Sequence, residues 1–177
     1  MTFVPEQVKA LSAKLDASHG KQRTQAGRSL SYIEGWHAIA EANRIFGFDG
    51  WTREAVDVRC VSEKPRKIGQ QQKDGWGVSY IIKIRVTVAG VVREGVGAGH
   101  GIDVDLGQAH ESAVKEAETD AMKRALMTFG NPFGLALYDK TQENVETNGH
   151  AKEPDTKASP PPPNATTSPA MEVLGLN

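Results

Sequence analysis

Apolar and polar residues alternate with a period of two along Val78–Val88. Val78, Tyr80, Ile82, Ile84, Val86 and Val88 fall on one side, and Ser79, Ile81, Lys83, Arg85 and Thr87 on the other. This pattern predicts a strand with one buried and one solvated face. Ala89-Gly90 predicts a hairpin turn into a further strand over Val91–Ala98. Thr52–Val61 alternates as well, which places Val56, Val58 and Cys60 inward and Arg53, Asp57 and Arg59 outward. The intervening Ser62–Gly75 is polar and basic (Lys64, Arg66, Lys67, Lys73) and reads as a mobile connection.

Helical spacing governs both flanks. Val4, Val8, Leu11 and Leu15 recur at three- and four-residue intervals, with Pro5 suited to a first turn. A polar, basic connector, Ser18–Ser31, carries Lys21, Arg23 and Arg28. A second helix is expected from Tyr32 to Ile45, with Ile33, Trp36, Ile39, Ala40 and Asn43 on one side, and Gly47 and Gly50 end it. The third and longest helix lies within Glu111–Asp139. Ala109, Ala113, Ala117, Ala121 and Ala125 form a row four apart, which Phe129 continues. Residues four apart share a helix face, so the row is a narrow stripe of small side chains that lets a helix lie close to a sheet. Val114, Met122 and Leu126 widen that face, while Lys115, Glu118 and Lys123 lie outside it. Gly130 is expected in the left-handed position just past the helix, and Asn131-Pro132 prevents continuation.

The expected fold class is α+β: an antiparallel sheet covered on one face by the long helix, with an N-terminal helix before it. Residues 1–145 are assigned to this domain. The Pro- and Thr-rich stretch 146–177 lacks the large apolar residues of a core and is expected to be a disordered tail. Its last residues, Met171–Asn177, regain some hydrophobicity and read either as a docking motif or as a plain chain end. Asn164-Ala-Thr is a glycosylation sequon by pattern, with nothing to suggest secretion.

Composition narrows the function classes. The net charge is −1, but the first 93 residues carry 15 Lys and Arg against 9 Asp and Glu, whereas residues 94–145 carry 4 against 9. Affinity for nucleic acid depends on a local basic stripe, so near-neutrality is no veto. A single cysteine, Cys60, excludes an internal disulfide and fits a reducing compartment. Its place in an apolar alternation makes it a small core residue. No apolar run approaches membrane-spanning length and the N-terminus lacks a signal pattern, so a cytoplasmic, nucleoid-associated protein is expected.

Catalytic patterns are missing. The glycines at 95, 97, 99 and 101 match neither dinucleotide-binding nor P-loop spacing, and read instead as letting a strand pass close to the helix. Histidines 19, 37, 100, 110 and 150 show no metal-ligand spacing, and no serine or cysteine has a recognisable activating partner. Asp103 and Asp105 suit a loop or helix start better than a metal pair. The expectation is therefore no catalytic residue, no metal and no cofactor.

Lys123-Arg124, near the end of the long helix, admits two readings. Cations there complement the helix dipole, at about 0.3–1 kcal/mol each, or they hold phosphates. The context is Tyr32-Ile33-Glu34-Gly35-Trp36, then Ala42-Asn43, Phe46-Gly47-Phe48-Asp49-Gly50-Trp51, TDAMKRALMTFGN at 119–131 and Asp139-Lys140. In this order and spacing, from about Arg23 to Lys140, the chain resembles the Rad-fifty-two family of single-strand DNA annealing proteins. The resemblance implies a ββα-type core and ATP-independent binding and annealing of complementary single strands in homologous recombination and double-strand break repair. It further implies a ring or helical homo-oligomer, with a recombinase or single-strand-binding protein as partner. The short tail is expected of a compact bacterial or phage version.

Site residues carried over by the resemblance are Lys123 and Arg124, then Arg23, Lys140 and Lys115, with Arg28 in the same basic connector. Met127 stands where many relatives carry a third basic residue. For a second, outer DNA site Lys73 is a plausible equivalent. The stretch Gly101–Gly107 is acidic instead, and Ser112 stands where relatives can carry lysine, so Lys83 and Arg85 on the solvated sheet face are considered as compensation. Among the aromatics, Trp36 and Phe129 are assigned to core packing and Trp76 is the favoured exposed base-stacking candidate. Two other functions fit less of the pattern: a sequence-tolerant DNA- or RNA-binding protein without annealing activity, and a metal-dependent nuclease built on Asp103 and Asp105.

Overall fold

The computed structural model describes residues 3–25 and 28–146. They form α1 (Pro5–Ser12), β1 (Leu15–Asp16), β2 (Lys21–Gln25), β3 (Arg28–Tyr32), α2 (Gly35–Phe46), β4 (Trp51–Ile68), β5 (Lys73–Val88), β6 (Val91–Asp103), α3 (Leu106–Met127) and β7 (Val145–Glu146). The centre is an antiparallel meander in the order β4-β5-β6. Two smaller pairs flank it: the β2–β3 hairpin, and parallel β1–β7, which joins Leu15 to Val145 and brings the two ends of the described chain together. The α+β arrangement of a sheet covered by a long helix is the one the hydrophobic pattern predicts. Residues 147–177, with the expected tail, sequon and terminal motif, lie outside the described residues.

The tightest packing in the fold joins β6 to α3. Glycines 95, 97, 99 and 101 are buried on the helix side of β6, and the alanines at 109, 113, 117, 121 and 125 are fully buried on the facing side of α3. A Cβ placed on Gly101 would lie 1.7 Å from Ala109 O, on Gly99 2.1 Å from Ala113 O, on Gly97 2.3 Å from Ala117 O and on Gly95 2.2 Å from Ala121 O. One glycine therefore meets one helical turn, four times over, with α3 antiparallel to β6. The periods match. Four helical residues rise about 6.0 Å and two strand residues about 6.6 Å. Ile82, Ile84, Val86 and Val88 of β5 complete the sheet side of this core, and Met122 and Leu126 the helix side. Ala89 and Gly90, both at positive φ (49° and 81°), make the tight β5–β6 turn.

At the C-terminal end of α3 the small residues give way to aromatics. Phe46 stacks on Phe133 at 5.8 Å between centroids and meets Phe129 edge-on at 5.6 Å, with Phe3 against both Phe46 and Phe129. Gln7 Nε2 donates to Ile45 O at 3.2 Å and ties α1 to the end of α2.

Several expectations change. Ser62–Gly75 is not a mobile connection: β4 runs on to Ile68 and β5 starts at Lys73, with a turn at 69–72. Its polarity reflects a hairpin arm solvated on both sides, since Glu63–Lys67 are all exposed. The basic connector Ser18–Ser31 is largely the β2–β3 hairpin, which pairs Arg23 with Leu30 and Gln25 with Arg28. Along β4 the inward assignment fails: Val56, Val58 and Cys60 are exposed. The helix lies over β5 and β6, and register shifts at Ala55/Asp57 and Cys60/Ser62 break the period of two.

The second helix begins at Gly35, with Tyr32 still in β3, and it buries a different face from the expected one. His37, Ala38, Ala42, Ile45 and Phe46 point inward, whereas Trp36 is 65% exposed and donates Nε1–H to Glu34. The small Ala38 and Ala42 and the close approach of Gly35 to Thr119 seat α2 against its neighbours, and this contact outweighs the pull of a large apolar ring. Gly130 is extended (φ 159°, ψ −177°), and the left-handed residue is Gly134 (φ 92°, ψ 5°). Gly130 is needed for space, because a Cβ there would lie 2.3 Å from Leu11 O.

Replacing Gly97 by Ala forces strand and helix backbones apart and is expected to destabilise the chain by about 2–3 kcal/mol in urea unfolding. Gly90→Ala, in open space but at positive φ, is expected to lose only about 1 kcal/mol. Equal losses would contradict the contact.

His37 stacks on His19 at 4.1 Å between centroids; its pKa is lowered, first by burial and then by His19, with Arg44 adding and Glu41 and Glu34 opposing. The unfolded chain therefore takes up a proton that the folded chain resists. Stability is complete above about pH 6.5 and falls as pH drops through the depressed folded value. Urea midpoints at about pH 7 and about pH 5 should diverge more for the wild type than for His37→Gln; parallel losses would refute the assignment.

Candidate functional site

Three segments converge beside the C-terminal end of α3. From β3 come Ser31 and Tyr32, anchored by the buried Ile33. The last turns of α3 present Asp120, Lys123, Arg124 and Met127. The chain then doubles back through buried Pro132-Phe133, turns at the left-handed Gly134 against Ile33, and returns as Leu135–Gln142. Together they enclose a groove of about 750 Å³.

Its charge is locally positive, with Lys123, Arg124 and Lys140 facing Asp120 and Asp139. Arg124 Nε donates to Asp120 Oδ2 at 2.9 Å, a helical i,i+4 pair that raises the arginine pKa and fixes its direction. The bond uses Nε alone, so the two terminal amino groups lie outside this contact. Lys123 Nζ sits 5.4 Å from the centroid of the Tyr32 ring, a cation–π distance. Asp139 is held below the usual carboxylate range by the hydroxyl, then the backbone N–H, of Thr141, at 2.8 and 3.0 Å. Tyr138, 66% exposed, forms part of the wall. The arrangement offers cations at more than one point and aromatic surface beside them, which suits a flexible polyanion carrying flat groups.

Of the residues singled out in the sequence, Lys123, Arg124 and Lys140 come together here. Arg23 and Arg28 lie on the β2–β3 hairpin, whose second strand delivers Tyr32 to the groove. The others lie elsewhere. Lys115 is two turns back along α3 and paired with Glu111. Lys73 opens β5 at the far end of the sheet. Lys83 and Arg85 are on the face away from α3 but are locked in ion pairs, Lys83 with Glu94 at 2.5 Å and Arg85 with Glu94 at 2.8 Å and Glu54 at 3.2 Å. That ladder neutralises the surface considered for compensation.

Sequence reading missed Tyr138, although it directly precedes the Asp139-Lys140 pair. It also missed a second groove, again of about 750 Å³, on the open face of the sheet between Lys64–Lys67 and His100–Ile102. Trp76, the foremost of the aromatics as a stacking candidate, is half-buried against Val78, Ala109 and Ala113. Asp103 and Asp105 have structural work: Asp103 accepts from Asp105 N, and Asp105 caps α3 by accepting from Gln108 N at 2.9 Å.

Fold and groove together define a small α+β domain that carries a basic, tyrosine-lined cleft at the end of its long helix. The profile of the Rad52/22 family double-strand break repair protein matches residues 5–156, and the chain belongs to that family. It is 38% identical over 136 residues to the DNA repair and recombination protein rad22 of Schizosaccharomyces pombe, which covers 74% of this chain and 28% of the relative. It is also 38% identical over 135 residues to the DNA repair and recombination protein RAD52 of Saccharomyces cerevisiae, covering 73% and 27%. With rti1 of Schizosaccharomyces pombe the identity is 36% over 134 residues, covering 75% and 35%. The chain thus spans about a quarter to a third of the length of these relatives. Among the described residues no helix is long and apolar enough to cross a membrane.

Proposed function

We propose that this chain binds single-stranded DNA and anneals complementary strands without ATP, in recombination and double-strand break repair. The observation that carries the reading is the convergence of Lys123, Arg124 and Lys140 with Tyr32 and Tyr138 in one groove. The repair and recombination roles printed in the names of its relatives support it. Lys123 and Arg124 neutralise adjacent phosphates, and Lys140 extends the cationic path from the opposite wall. Arg23 and Arg28 belong to the hairpin whose second strand leads into the groove, and the proposed binding surface includes them.

Phosphate contacts carry no sequence information, so the groove accepts any strand. Annealing follows if the bound strand keeps its bases reachable: neutralised phosphates remove the repulsion between two strands, and base pairing supplies specificity and driving force. A homo-oligomer repeating the groove would hold a long strand extended, with a recombinase or single-strand-binding protein as the partner to exchange it with. The nuclease alternative draws nothing from the site, since both of its aspartates serve the start of α3.

Two complementary labelled oligonucleotides, mixed without ATP or metal, test this. Wild type should accelerate pairing, and Lys123→Ala/Arg124→Ala should abolish the acceleration while folding is retained. Removal of two phosphate contacts should also reduce the slope of log affinity against log salt for single strands by about 1.4. Binding without acceleration would leave a passive single-strand binder, and an unchanged slope would move the site elsewhere.

A further inference from the structure

Far from the groove, three side chains of metal-ligating type meet where the edge strand β4 lies beside the first half of α3. Cys60 Sγ, a Glu63 carboxylate oxygen and a His110 ring nitrogen all lie within 4.8 Å of one another. Chain spacing hides the cluster, because 47 residues separate Glu63 from His110.

The β-bulge builds it. In a regular strand, residues 60 and 63 would face opposite ways. Here Cys60 pairs with Tyr80 and Glu63 with Val78, the extra residue being taken up between Cys60 and Ser62. Tyr80 and Val78 both sit on the helix side of β5, so the bulge turns Cys60 and Glu63 toward that same side. His110 comes down from α3 to meet them. Its Nδ1 is 3.1 Å from the Tyr80 hydroxyl and its Nε2 3.1 Å from Glu63 Oε2. A hydrogen-bond partner on one ring nitrogen that aims the other at the cluster is how proteins set a metal-binding histidine.

We infer that Cys60, Glu63 and His110 form a binding site for a zinc-class divalent transition ion, with Tyr80 orienting the imidazole and water completing a tetrahedron. Thiolate, imidazole and carboxylate together favour zinc over magnesium or calcium, which prefer all-oxygen sets. The site ties β4, the strand that α3 does not cover, to the helix. It complements the Arg53–Glu118 ion pair at 3.1 Å, which crosses between the same elements two turns further along α3. This inference does not rest on the annealing reading.

Cobalt titration of the metal-free chain in a non-thiol reductant tests it. The expected spectrum has a thiolate-to-cobalt charge-transfer band and the visible bands of a tetrahedral ion, saturates at one equivalent per chain, and is bleached by zinc. Cys60→Ser should remove the charge-transfer band, His110→Gln should weaken binding at least about tenfold, and Tyr80→Phe should weaken it to a smaller degree. Zinc should raise the melting temperature of wild type and not of Cys60→Ser. Cys60 is exposed and His110 partly so, and circular dichroism of the metal-free variants checks that they fold. Absence of the charge-transfer band, or its survival in Cys60→Ser, would overturn the site.

Discussion

The close approach of α3 to β6 governs this structure. Four alternate positions of β6 have no side chain, and the helix face above them carries only methyl groups, so the two backbones lie nearly in contact. Such packing has little freedom to slide: a shift by one residue would drive a Cβ into a helix carbonyl. It therefore sets the height, direction and rotation of α3 together. Gly95 meets Ala121, and the next residues out along the helix are Met122, buried beneath it, and then Lys123 and Arg124 at the groove. The position of the cationic pair is a consequence of where the glycines stop.

Beyond that point the packing changes character. Phe46, Phe129 and Phe133 fill the space that small residues no longer close, and the chain turns back at Gly134 to form the opposite wall. The charge pattern follows the same division. On the open sheet face, Lys83, Arg85, Glu54 and Glu94 balance one another across three strands, whereas the groove keeps an excess of cations. A chain with a net charge of −1 can thus present a positive cleft, because its acidic residues are spent largely on ion pairs and helix caps elsewhere.

Much of the fold was legible in the chain because two periodicities are nearly uninterrupted: the alternation of β5 and the alanine row of α3. The glycines of β6 were legible as a close approach, though not that each would meet its own helical turn. What escaped has physical reasons. The polar β4–β5 arms look like loop because both faces are wet, and bulges scramble the alternation of β4, which hid the exposure of Cys60. The face of α2 was misjudged because Ala38 and Ala42 permit close packing while Trp36 satisfies its N–H at the surface. Lys123, Arg124 and Lys140 were legible through family resemblance alone. No periodicity could show that residues 31–33 and 134–142 would wall the same groove, since that depends on the return of the chain after Pro132.

The most direct test of the central claim, that the groove is the path of a single strand, is hydrogen–deuterium exchange with and without an oligothymidylate. The account predicts slowed exchange in peptides covering residues 31–34, 120–127 and 134–142, with the sheet face unchanged. Protection confined to residues 62–67 and 77–79, around the second basic groove, would contradict it.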